Sequence, residues 1–143
     1  MSAIQEYIDE HQDIEFQLSQ YMQEFSSHKK VIRENELLKL SAIFLDYVQD
    51  LLAHHFKNEE EFIFPEQRDS YSEVIERLIN DHLDIQQKYH KLHANYQQAI
   101  NNNSNENLIL DLKKDLLFVA YNLIATINHH TAREDQLLFN VIK

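Results

Sequence analysis

The sequence predicts an all-α protein, an antiparallel up-down-up-down four-helix bundle built from an internal two-helix duplication. Three observations lead there. The 143 residues contain no Gly and one Pro, Pro65, so the residues that most strongly break helices are almost absent. Apolar residues recur at alternating three- and four-residue steps through four segments, the pattern of helices that each bury one stripe. The segments also repeat pairwise along the chain. With 43% apolar residues, a chain of this length is expected to form one domain over 1–143 with a single sizeable core.

The first segment runs from about residue 3 to 28 and directs Ile4, Tyr7, Ile14, Leu18, Tyr21 and Phe25 inward. Ser2 followed by Gln5 reads as a capping box at its start. The second, from near Asn35 to Phe64, carries Leu37, Leu40, Phe44, Val48, Leu51 and Phe62, and Pro65 is expected to stop it. The third opens at a second capping box, Ser70 with Glu73, and its stripe is Ile75, Leu78, Ile85, Tyr89, Leu92 and Tyr96. It dissolves in the polar run Asn101 to Asn105, where clustered Asn and Ser favour a turn. The fourth, from about Asn107 onward, buries Leu112, Leu116, Val119, Leu123, Leu137 and Val141. Short loops make successive helices antiparallel.

The duplication is explicit in the polar residues. Glu10-His11-x-Asp13-Ile14 matches Asp81-His82-x-Asp84-Ile85 at an offset of 71 residues. In the other helix pair, His54-His55-x-x-x-Glu59-Glu60 matches His129-His130-x-x-x-Glu134-Asp135 at an offset of 75. His11, His55, Glu59, His82, His130 and Glu134 all fall on stripes that ought to be Leu or Ile. A carboxylate or imidazole buried without a partner is costly, so something must compensate them. Counted from the loop near residue 30, His11 and His55 both lie roughly 25 to 30 Å along their helices, at one level of a bundle. His82 and His130 lie roughly 33 to 39 Å from the loop near residue 104, and so converge on the same end. The four-residue spacing of His55 to Glu59 and of His130 to Glu134 stacks nitrogen and oxygen on one face. Four imidazoles and two carboxylates suit a pair of first-row metal ions, with the carboxylates bridging and the histidines terminal.

Composition excludes other chemistries. Without Cys there is no disulfide, thiolate metal site or redox thiol, so any metal is held by nitrogen and oxygen. A net charge of −11, from 24 acidic against 13 basic residues with no basic cluster, argues against nucleic acid. No apolar run approaches membrane-spanning length, and the N-terminal residues lack the pattern of a secretion signal, so a cytoplasmic protein is expected. His28, His90 and His93 are expected at the surface, with His54 and His129 turned about 100° from the ligand positions beside them.

The motifs His11, HHFKNEEEFIFP from 54 to 65, DH at 81 and 82, and HHTAREDQLLF from 129 to 139 together resemble the hemerythrin-like family, the HHE cation-binding domain. The resemblance implies a carboxylate-bridged, oxygen-bridged di-iron centre with the six residues above as ligands. Manganese or zinc would accept the same set. Ferritin-like sites use Glu-x-x-His pairs, which are absent at every histidine here. The chain departs from the oxygen carriers of the family in the third helix, where Gln86 replaces the second His of a His-x-x-x-His pair. Those carriers also use an Asp five residues after the fourth-helix His, a spacing that Asp135 meets. The duplication instead favours Glu134, the partner of Glu59. Glu15, at the place corresponding to Gln86, is a further candidate ligand.

The resemblance leaves several functions open. The leading expectation is a cytoplasmic non-haem di-iron protein reacting with a small gaseous or peroxide ligand: dioxygen, peroxide or nitric oxide. A non-catalytic iron- or oxygen-responsive binding module is the alternative, and Gln86 disfavours a reversible oxygen carrier. No protein partner is indicated.

Overall fold

The computed structural model describes residues 3–29, 34–102 and 106–142, and all elements among them are helical. Helix α1 spans Ala3–Ser26, α2 Glu34–Asp50, α3 Phe56–Asn58, α4 Phe64–Asn101 and α5 Glu106–Ile142. Between α2 and α3 lies a π-helical turn, Leu51–His55, and between α3 and α4 a second one, Glu59–Ile63. Ser2 of the first capping box, Asn103 to Asn105 of the polar run, and the side chains of Ile4 and Val141 lie outside the described residues.

The π turns set which side chains face inward. The Phe56 N–H reaches back to the Leu51 carbonyl and the Phe64 N–H to that of Glu59, five residues each, which widens the turn beyond the 3.6 residues of an α-helix. In a regular α-helix, four-residue steps drift around the axis by about 40° each. Here the wider turns absorb that drift, and Leu51, His55, Glu59 and Ile63 are all buried. The same widening corrects the expectation for Phe62, which is 61% exposed while Ile63 and Phe64 take the inward places.

Pro65 does not stop a helix. It sits in the first turn of α4, where the missing N–H costs no internal hydrogen bond, and the helical path continues beyond it. The break comes instead at Tyr71 (φ −136°, ψ 40°), one residue after the expected Ser70 cap. At the other end of α4, the backbone N–H and side-chain amide of Asn102 both donate to the Gln98 carbonyl, at 3.0 and 2.8 Å, and close the helix.

Helix α1 lies against α2 and α5, and α4 lies against α2 and α5. Ring pairs Tyr21–Phe44 (5.0 Å) and Phe25–Phe44 (5.4 Å) join α1 to α2. Tyr121 donates to Ser26 across α5 and α1, and Lys88 to Thr126 across α4 and α5. The apolar interior divides into a large cluster, with Leu18, Phe44, Ile85 and Leu123, and a small one, with Ile8, Phe64, Leu78 and Leu137. Buried His11, His55, Glu59, His82, His130 and Glu134 fall between the two. Ile8 and Ile14 flank His11, Leu78 and Ile85 flank His82, and Ile127 and Leu137 flank His130 and Glu134. His28, expected at the surface, is buried at the turn that follows α1.

Candidate metal centre

Five elements of the fold bring six side chains to one place. His11 comes from α1, His55 ends the first π turn, Glu59 opens the second, His82 comes from α4, and His130 and Glu134 from α5. All six are buried. Nε2 of His11 and of His82 faces both carboxylates, that of His55 faces Glu59, and that of His130 faces Glu134. His55 Nε2 lies 3.1 Å from Glu59 Oε1, and His11 Nε2 lies 3.2 Å from Glu134 Oε2 and 3.6 Å from Glu59 Oε2. His82 Nε2 is 3.7 Å from Glu59 Oε1 and 3.6 Å from Glu134 Oε1, the oxygen that also meets His130 Nε2.

None of the four Nε2 atoms has a hydrogen-bond partner, nor do Glu59 Oε1 and both oxygens of Glu134. Buried polar atoms left this way cost stability, and their convergence fits cations placed among them. Two groups of four have their donor atoms within 4.8 Å of one another: His11, His55, Glu59, Glu134, and Glu59, His82, His130, Glu134. Both carboxylates belong to both groups.

The opposite ring nitrogens meet a second layer of carboxylates. Nδ1 of His11 bonds Asp135 at 2.6 Å, that of His55 bonds Glu10 at 2.9 Å, and that of His130 bonds Asp81 at 3.1 Å. The fourth, His82 Nδ1, stands 3.6 Å from Glu60 Oε1. Such partners fix the ring and the tautomer that leaves Nε2 free to bind a metal. Sequence reasoning assigned no role to Glu10, Glu60 or Asp81, and weighed Asp135 only as a rival to Glu134 for the metal. The signal was in the duplication, which pairs Glu10 with Asp81 and Glu60 with Asp135 just as it pairs the histidines.

A family model of the hemerythrin HHE cation-binding domain matches residues 2–143. The chain belongs to the hemerythrin HHE cation-binding family. No curated protein and no solved structure matches it.

In this hemerythrin-family chain the electrostatics follow from burial set against close opposite charge. Burial pulls the His11 imidazole down, but the Asp135 and Glu59 carboxylates outweigh it and hold the ring at about 9. Burial would raise Glu59, yet His11 and His55 hold it at about 2. For His82 burial comes first and the neighbouring His130 second, both lowering the ring, to about 3. Phe56 packs 4.6 Å from the His82 ring and 5.3 Å from those of His55 and His130, a wall that keeps water off the cluster.

The alternatives separate cleanly in this geometry. Asp135 braces His11 from outside while Glu134 faces the cluster. Glu15 and Gln86 are exposed, as are His54, His90, His93 and His129. His55→Ala or His130→Ala should therefore lower the metal content of purified protein, while His93→Ala and His129→Ala keep it. Elemental analysis of the four variants checks this, and equal loss in all of them would remove the distinction.

Proposed function

We propose that this chain is a cytoplasmic non-haem di-iron protein, an antiparallel four-helix bundle whose centre reacts with dioxygen, peroxide or nitric oxide. The observation that carries the two-ion reading is the sharing of Glu59 and Glu134 by both groups of four. A single ion would leave two imidazoles over. Histidine and carboxylate without thiolate is a donor set that suits iron, and bound iron would supply one-electron chemistry and open positions for a small molecule. His11 and His55 would serve one ion, His82 and His130 the other, and the carboxylates both. The antiparallel arrangement is supported by contacts that run in opposite senses: His11 meets Asp135 where Ser26 meets Tyr121, and Glu10 meets His55 where Tyr21 meets Phe44.

Anaerobic loading with ferrous salt should give two ions per chain, and air should then produce the near-ultraviolet bands of a coupled ferric pair. A reproducible stoichiometry of one counts against the proposal. Recovery of the ferrous spectrum on lowering the oxygen pressure would favour a reversible carrier instead.

The second reading, an iron- or oxygen-responsive module whose fold depends on occupancy, is favoured by the eight orphaned polar atoms that the six cluster residues bury among five elements of the fold. It predicts that a chelator sharply lowers helicity and protease resistance. Unchanged values after metal removal would set it aside.

A further inference from the structure

The two groups of four contain the same kinds of donor, two imidazoles and the same two carboxylates, but their outer supports differ. On one side both rings are braced by carboxylates, His11 by Asp135 at 2.6 Å and His55 by Glu10 at 2.9 Å. On the other, Asp81 accepts from His130 at the longer 3.1 Å and also accepts from Arg133 at both oxygens, 2.7 and 2.8 Å. A carboxylate shared with a guanidinium lends less charge to the imidazole. His82 Nδ1 is buried without a hydrogen bond, 3.6 Å from Glu60.

Ring packing holds His82 instead, from Phe56 at 4.6 Å and Phe64 at 5.5 Å. Packing fixes the plane of an imidazole but does not choose which nitrogen carries the proton. A cavity of about 140 Å³ lies beside the ring, lined in part by Glu60, Leu83 and Gln86, and supplies no protein acceptor within hydrogen-bond distance of that nitrogen. The His55 side opens on a different surface, a groove of about 610 Å³ with Glu6, Asp9, Glu10, Asp13 and Asp50 on its walls. Its charge draws cations toward the well-braced pair.

We propose that the two positions are unequal: the one between His11 and His55 fills first and holds its ion, and the one between His82 and His130 is exchangeable. This rests on the two-ion reading above. Loss of an outer partner typically weakens a metal site 10- to 100-fold, so the two affinities should differ by about tenfold or more.

Zinc titration of the metal-free chain at pH 9, where the His11 proton costs little, followed by nitrogen-15 spectra of the imidazoles and by chelator competition, tests it. The first equivalent should shift His11 and His55, and the second His82 and His130. Arg133→Gln, a change at a half-exposed residue, releases Asp81 to brace His130 and should tighten the weaker position, narrowing the gap. Asp135→Asn should narrow it from the other side by weakening the stronger. Two ions of equal affinity, or His82 and His130 responding first, would overturn the inference and leave the two-ion reading standing. A plateau at one ion would overturn both.

Discussion

Glu134→Ala should leave the chain without either ion, whereas Asp135→Ala should keep both, with the affinity of one position lowered about 10- to 100-fold. The two residues are neighbours in sequence and differ in what they touch. Glu134 is 1% exposed, meets Nε2 of His11, His82 and His130, and belongs to both groups of four donors. Its removal takes an oxygen from each position at once and leaves the imidazoles with one carboxylate, Glu59, to offset two dications. Asp135 touches Nδ1 of His11 alone, so its loss affects one ligand of one position. Metal per chain after desalting separates the outcomes. Equal losses for the two variants would mean that the carboxylate between the ions has been misassigned.

Metal affinity at the position between His11 and His55 should rise about 100-fold between pH 7 and pH 9 and then level off. In the metal-free chain His11 is held at about 9, because the Asp135 and Glu59 carboxylates outweigh the burial that pulls it down. A metal takes Nε2 only after that proton leaves, so each pH unit below 9 costs about tenfold in affinity through this group. The fold responds in the opposite sense. A histidine raised above its ordinary 6.5 contributes stability that is complete below 6.5 and lost as pH climbs through 9. Glu59, held at about 2, contributes stability that is present above about 4.5 and lost as pH falls through 2. The metal-free chain should thus weaken from neutral pH toward 9 while metal binding gains. Competition titrations and thermal melts at pH 7, 8 and 9 read both trends. A pH-independent affinity would show that His11 is already neutral, and Asp135→Asn should bring the plateau to lower pH.

The six cluster residues were legible because burial and repetition act on the same positions. A histidine on an apolar stripe is one anomaly, and the same anomaly at offsets of 71 and 75 residues is a pattern. Preference for Glu134 over Asp135 followed from helical geometry and agrees with their placement. Less legible were Glu10 and Glu60, because an acidic residue on a partly exposed helix face looks like any solvated one until the ring nitrogen it meets is known. Pro65 has two helical meanings, stop and first turn, and composition does not choose between them. The π turns left no trace at all, since they are a choice of backbone partner that no residue type announces.

Those turns make the stretch from Leu51 to Ile63 a gauge of length more than of composition. Exposed positions such as Lys57, Asn58 and Glu61 can change identity without moving the ligands. Deleting any one of them rotates everything downstream by about 100° relative to His55. Glu59 or the apolar pair Ile63 and Phe64 would then swing away from the interior, although every side chain that touches the cluster is still encoded. Among descendants of this sequence, drift by substitution should be common on that outer face, and one-residue gaps should be purged.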